Sequence, residues 1–397
     1  MFVPIANTPR DYAWGSKTAI AGLLGHEPSG SPEAELWLGA HPGSPARILD
    51  QDAAGGHATL ADWVARDTAS AGLAEPRLPF LLKLLAADAP LSLQAHPSPE
   101  QAREGFDREN AAGVPLDAAD RNYKDAFHKP ELIFALSETF DALCGFRHVA
   151  DAAADVDALL AVPGLAPSAR AVLAAFRASL DGEDAAVLRR VVGSLLSDDV
   201  SVLVQAVTDA AATAEPTPAV DTVRLLAEFY PGDPGIVVSL LVNRVTLTRG
   251  EVLYLPAGNI HAYLRGFGVE LMAASDNVLR GGLTPKHIDV PELLGVLDFT
   301  PLPVPYLEPA RPGAGVELYR PNVPDFELAH VVPQGDEPAV VTLTGPAIAI
   351  ATAGALAITG STGAVTLRQG DAVYVTPDEG RLVVTGAGEL FVATSRI

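Results

Sequence analysis

One stretch constrains the fold more than any other: Arg249-Gly-Glu-Val-Leu-Tyr-Leu-Pro-Ala-Gly-Asn-Ile-His-Ala-Tyr-Leu-Arg265. Val252 to Leu255 is rich in strand formers, Pro256 presets φ for a turn, and Gly258 with Asn259 can supply the positive-φ positions that close it. A second short strand is expected from about Ile260. Because side chains alternate along a strand, Ile260, Ala262 and Leu264 share one face and His261, Tyr263 and Arg265 the other. A histidine aimed at an interior just past a tight turn is either a ligand or a hydrogen-bonded structural residue, and this segment alone leaves both readings open.

With 397 residues the chain exceeds one ordinary core, so two or three domains are expected. No uninterrupted apolar run reaches the roughly 18 residues of a membrane span; Lys83 breaks the longest candidate, which begins at Leu78. Met1 to Arg10 lacks a basic segment followed by an apolar one, so no secretory signal is expected. Cys144 is the only cysteine, which excludes internal disulfides and cysteine-rich metal sites and fits a reducing cytoplasm. The net charge of −22 argues against a nucleic-acid or anionic-membrane partner. It leaves room for a small anionic substrate, since screening over about 8 Å lets a few local lysines and arginines outweigh a distant acidic surface. A monomer is expected.

The texture of the chain divides it. From about Asp151 to Ala219 it is alanine-rich with apolar residues at helical spacing, Leu173, Phe176 and Leu180, then Leu188, Val191, Val192 and Leu195, with Pro163, Gly164 and Pro167 as interruptions. Short strands and turns are expected on both sides. After about Pro301, the apolar runs Ala347 to Thr352, Ala355 to Ile358, Ala372 to Thr376 and Leu390 to Thr394 point to a β-sandwich or barrel. Arg368-Gln-Gly-Asp-Ala-Val-Tyr-Val-Thr-Pro377 echoes Arg249 to Pro256 without a following histidine. The expectation is a mainly β protein with an α-helical insert: a first β domain over 1–149 and 232–300, a helical domain over 150–231, and a second, related β domain over 301–397.

Two more polar clusters stand out. In Pro90-Leu-Ser-Leu-Gln-Ala-His-Pro97 an extended strand would direct Ser92, Gln94 and His96 one way and Leu91, Leu93 and Ala95 the other. Two donors at i and i+2 can reach one ion, or form a plain polar strand face. In Asn122-Tyr-Lys-Asp-Ala-Phe-His-Lys-Pro-Glu131, Glu131 opens the apolar run Leu132 to Leu136. A carboxylate entering such a strand is costly unless paired or coordinated. Glu100, the competing carboxylate, reads better as first-turn acid of a helix capped by Ser98 with Pro99 at N1.

Together these clusters carry a resemblance. Gly250, Pro256, Gly258 and His261 follow the second cupin motif, and Gln94 with His96 stand where the first motif has two histidines. The larger set resembles type I mannose-6-phosphate isomerases, of the cupin superfamily. It comprises Tyr12 to Gly15, Ala34 to Pro42, Pro90 to Pro97, Asn122 to Asp125, His128 to Glu131, Leu143 to Arg147, Phe229 to Pro234 and Ser275 to Lys286. Ala126-Phe127 departs from the family's usual Pro-Asn. The resemblance implies a cupin jelly-roll barrel with a second C-terminal cupin-like barrel, and one zinc ion per chain held by Gln94, His96, Glu131 and His261. Such a donor set suits zinc chemically.

The implied reaction interconverts mannose 6-phosphate and fructose 6-phosphate, a small phosphosugar pair, by ring opening and proton transfer between C1 and C2 through an enediol. A metal ion and an arginine would stabilise the developing oxyanion, and Arg280, before a diglycine that permits close backbone approach, is that arginine. Lys286, Lys129 and Ser92 are candidates for phosphate and hydroxyl contacts, and Trp14 and Tyr263 for the pocket wall. His128, Lys129, Glu270 and Asp276 all qualify by type for proton transfer, and the residues do not rank them. Two other readings stand beside this one: a sugar-binding cupin without catalysis, and a non-haem iron oxygenase, against which Gln94 argues.

Overall fold

The computed structural model describes residues 1–335 and 337–396; Asp336 and Ile397, in the 301–397 region, lie outside it. The chain is mainly β, with two antiparallel sheets and helices between and around them. In the nine-stranded sheet, His261–Ala273 is the organising strand. Its first residues pair with Thr139–Phe146 and with Gln94–Ala95, and the rest lies between Phe80–Ala87 and Glu131–Ala135. The change of partners falls at Gly266, whose φ is 143° and where a Cβ would sit 2.5 Å from the Phe140 ring. Only glycine allows that bend.

The turn that opened the sequence reading is present, with corrections. Gly258 takes φ 78°, but Asn259 is not left-handed, and Leu283 (φ 56°) is the only such non-glycine among the described residues. The second strand is 13 residues long rather than short. Its predecessor Val252–Leu255 pairs with Glu131–Ala135, so the turn hands the chain from one neighbour of the Glu131 strand to the other.

Helices Val149–Leu160, Pro167–Ser179, Asp184–Ser197, Ser201–Thr213 and Pro218–Phe229 form the insert, and every apolar residue picked out by its spacing is buried there. Pro167 starts its helix at the first turn, as its missing N–H favours. The insert packs on one face of the site-bearing strands, through Leu93, Ala95, Ile260, Ala262 and Leu264. Leu91, expected on that face, packs instead with the interior group around Tyr263. No single described helix is long and apolar enough to cross a membrane.

The ten-stranded sheet runs Ala310–Gly313, Val316–Tyr319, Glu327–Val331, Arg381–Thr394, Ala347–Thr359, Ala372–Val375, Phe2–Ala6 and Arg47–Ile48, with Ala339–Thr342 also paired to Arg381–Thr394 and Ala364–Arg368 to Ala347–Thr359. Two of the expected runs fuse into Ala347–Thr359, turning through Gly354 at φ 68°. The sheet also crosses the boundary expected at 301: Phe2–Ala6 pairs with Ala372–Val375, so the start of the chain lies in the C-terminal sheet. The two sheets meet over the Glu131 strand, where Phe134 packs 4.8 Å from the Phe391 ring and 5.9 Å from Tyr319.

Candidate metal centre

The ends of three strands bring together His96, just after Gln94–Ala95, Glu131, which opens Glu131–Ala135, and His261, which opens His261–Ala273, at one buried point. Their ligand atoms all lie within 4.8 Å of one another. The Glu131 carboxylate spans the histidines, 3.4 Å from His96 Nε2 and 3.3 Å from His261 Nε2. Each imidazole is oriented from behind: His96 Nδ1 lies 2.7 Å from the Asn277 carbonyl and His261 Nδ1 3.0 Å from the Asn259 carbonyl. A carbonyl can only accept, so each Nδ1 carries the proton and each Nε2 directs a lone pair at the centre. Burial pushes the His96 pKa down to about 4, only partly opposed by Glu131, so that ring is neutral at pH 7.

Both Nε2 atoms and one Glu131 oxygen are buried without a hydrogen-bond partner among the described residues. Three such atoms converging is what a protein leaves for a cation, since orphaned buried polar atoms are otherwise strongly disfavoured. Burial alone would raise the Glu131 pKa; the Lys129 ammonium, 3.0 Å from Oε1, and the two imidazoles outweigh it and hold the carboxyl well below its ordinary value. Two imidazoles and an ionised carboxylate are a borderline donor set that fits a divalent metal such as zinc. Glu100 is exposed in the first turn of Pro99–Ala111, behind a full capping box, and takes no part.

Gln94 connects this group to Arg280: on one side it pairs with His261 and on the other with Arg280. The loop after Arg280 is tightly held. Gly281 donates to the Leu93 carbonyl, Leu93 donates to that of Gly282, and Leu283 is fixed by Asp233 at 2.8 Å. Gly282 has φ 123°, and a Cβ there would come within 2.8 Å of Gly235 Cα, the close approach expected of the diglycine. Arg280 is half-buried, and burial alone depresses its pKa. Lys286 is exposed, its pKa lowered by partial burial and by the Arg280 charge. The two cations therefore share one region, and Ser92 is half-buried, two residues before the strand Gln94–Ala95 that pairs with Arg280.

The other expected residues divide. Lys129 is at the centre. Asp276, exposed, pairs with His41 at 3.1 Å; burial would raise its pKa, but His41 and the charges of Lys129 and Lys83 bring it below the ordinary value. Tyr263 is buried with a hydroxyl that has no described partner, and Trp14 packs on the same interior cluster while stacking on Tyr12 at 5.7 Å. His128 is not brought to the centre. It faces the other sheet, with Nε2 2.8 Å from Asp325 Oδ2.

Glu270 has a companion that the sequence reading missed. Its carboxylate accepts from Lys83 at 2.8 Å, and Lys83 also lies 3.7 Å from Glu35. All three are buried, and Glu35 in turn accepts from Trp37 Nε1 at 2.7 Å. Burial raises the Glu270 pKa, with Glu131 and Glu35 adding to the rise and Lys83 opposing it. Burial would lower that of Lys83, but the surrounding carboxylates Glu270, Glu35 and Glu131 raise it, so the ammonium stays charged. The signal was there: a lysine within Phe80–Ala87, otherwise wholly apolar and buried, must have a buried carboxylate partner.

The chain has relatives along nearly its whole length. A model of the type I phosphomannose isomerase catalytic domain matches residues 2–149. The mannose-6-phosphate isomerase of Escherichia coli K12 is 39% identical over 396 residues, covering 97% of each chain. That of Homo sapiens is 33% identical over 362 residues, covering 82% of this chain and 80% of its own. A crystal structure of a zinc-bound mannose 6-phosphate isomerase superposes with a TM-score of 0.87 at 34% identity, covering 100% of both chains. On this likeness along nearly its whole length, the chain belongs to the type I mannose-6-phosphate isomerase family.

Proposed function

We propose that this protein interconverts mannose 6-phosphate and fructose 6-phosphate, with one zinc ion held by His96, Glu131, His261 and Gln94. The observation that carries the reading is the set of unpartnered, buried Nε2 and carboxylate atoms facing one point in a chain of this family. When bound, zinc supplies a Lewis acid that stabilises negative charge on the sugar oxygens without redox chemistry. Arg280 and Lys286, cations without a described carboxylate partner, bind the phosphate and the developing enediolate oxygen, with Ser92 at their side. Trp14 and Tyr263 wall the pocket. Proton transfer between C1 and C2 needs a group that can reach the substrate. Lys129, at the centre beside Glu131, and Asp276, exposed and paired with His41, are the groups we take to carry the proton, because Glu270 is buried against Lys83 and His128 faces Asp325 on the side of the other sheet.

The bend of His261–Ala273 between two sets of partners supports closure of the nine-stranded sheet as a cupin-type jelly roll, with the C-terminal sheet as a related second barrel. One buried free cysteine fits a monomer working in the cytoplasm.

An assay coupling fructose 6-phosphate to a reporter should show turnover of mannose 6-phosphate by the zinc-loaded protein, abolished by chelation and restored by zinc. No turnover in the loaded protein rejects the activity. Arg280→Ala should keep zinc and lose about 10²- to 10³-fold in kcat; near-normal kcat would make Arg280 peripheral.

A further inference from the structure

The segment that delivers Lys129 and Glu131 to the centre is held from three directions. Asn277 grips it from the loop between the strands His261–Ala273 and Leu279–Arg280. Its Oδ1 accepts from the amides of Lys124 and Asp125, and its Nδ2 donates to the carbonyls of Asp125 and Phe127 at 2.8 Å. Arg77 covers it, with the guanidinium 3.7 Å over the Phe127 ring and Nη2 on the Ala274 carbonyl at 2.9 Å. The third hold comes from the other sheet. Asp325, two residues before Glu327–Val331, is buried and reaches His128 Nε2 at 2.8 Å.

Alternation explains why this hold bears on the chemistry. Glu131, Ile133 and Ala135 face the interior, while Leu132, Phe134 and Leu136 face the C-terminal sheet. Carried back through Pro130, the same alternation sends His128 outward to the C-terminal sheet and Lys129 inward to Glu131. Fixing the His128 ring therefore fixes the backbone next to the Lys129 ammonium, 3.0 Å from a carboxylate of the centre.

We propose that Asp325 is a positioning residue for the metal centre, acting through His128, so that the C-terminal sheet contributes to the site without touching it. The kinetic consequence rests on the isomerase activity proposed above; the structural one does not. In metal-loaded protein, Asp325→Ala and His128→Ala should each speed amide hydrogen exchange over 124–131. Each should also lower kcat by about tenfold or more while KM moves less than about threefold, as expected when a reacting group shifts by a fraction of an ångström. The double variant should be no worse than either single one. Asp325→Asn, which keeps an oxygen for the His128 N–H, should restore kcat to within about threefold. Arg249→Ala, which cuts another tie between the sheets, at Glu389, should leave the 124–131 exchange and kcat unchanged. Unchanged exchange in Asp325→Ala, multiplicative losses in the double variant, or an equal loss in Arg249→Ala would overturn the proposal. A wild-type protein with no isomerase activity would overturn the activity alone, and the exchange comparison would still decide the role of Asp325.

Discussion

Two strand-and-turn frames in this chain begin alike and enclose opposite interiors. Arg249 to Pro256 leads through Val252–Leu255 and a glycine turn to His261; Arg368 to Pro377 leads through Ala372–Val375 to a short helical turn and Gly380. Counted from the start of its strand, Arg381 occupies the place of His261: it opens Arg381–Thr394 as His261 opens His261–Ala273, and it is exposed. Behind the first frame lie buried Lys83, Glu270, Glu131, His96 and His261. Behind the second lie Val341, Leu356, Ile358, Leu367, Val384 and Val392, an apolar filling. The backbone pattern sets where an inward residue points, and chemistry depends on which side chains stand there. An apolar interior stabilises its sheet directly, whereas buried charges hold only while each keeps its partner.

The comparison breaks most visibly at the histidine. His261→Ala should remove metal binding and turnover by more than the roughly 100-fold that losing an outer hydrogen-bond partner costs a metal site. Arg381→His should gain no metal, because the position is exposed and the interior behind its strand is apolar. Metal content after dialysis and the coupled assay measure both. If Arg381→His held a metal as tightly as the native centre, the turn rather than the surrounding donors would define the site.

How much of this was legible follows from distance along the chain. The inward side of His261, the capped helix after Ser98 and the spacing of the insert are local, so period, turn and cap chemistry could indicate them, although whether His261 and His96 were ligands stayed open until the clusters were taken together. Glu131 was legible because a carboxylate opening an apolar strand demands a reason. What failed was nonlocal. Lys83 registered only as a break in an apolar run, since its partner Glu270 is 187 residues away. The turn could be read only as joining two short strands, because nothing nearby says that Glu131–Ala135 inserts between them. His128 qualified by type as a proton carrier, and only Asp325, 197 residues on, shows which way it faces.

Lys83 tests the cost of the charged interior. Lys83→Met leaves Glu270 and Glu35 buried without their cation and should lower unfolding free energy by about 3 to 5 kcal/mol. Leu356→Ala in the C-terminal filling should cost about 2 to 5 kcal/mol through lost burial and a cavity. The sizes overlap, so rescue separates the causes. Glu270→Gln added to Lys83→Met should recover part of the loss, because it removes the stranded charge; no polar change should rescue Leu356→Ala. Denaturant unfolding of the single and double variants decides it, and an unrescued Lys83→Met would mean that its stem packing mattered more than its charge.

The smallest effect lies where the two regions touch. Glu389, in Arg381–Thr394, accepts from Arg249 at 2.8 Å, from His330 at 3.0 Å and from Thr352 at 2.7 Å. Burial pushes its pKa up, but hydrogen bonds from His330 and Thr352 and the Arg249 charge bring it down to about 2 from an ordinary 4.5. A carboxylate depressed by folding adds stability that is fully present above its unfolded value and fades as pH falls through 4.5 toward 2. The gain at pH 7 is at most about 3 kcal/mol, and less once solvent around the exposed Arg249 end is counted. Glu389→Gln should therefore be less stable than wild type by about 1 to 2 kcal/mol at neutral pH. The gap should close steadily below pH 4.5. A gap that did not change with pH would show that Glu389 acts through shape and neutral hydrogen bonds rather than through its charge.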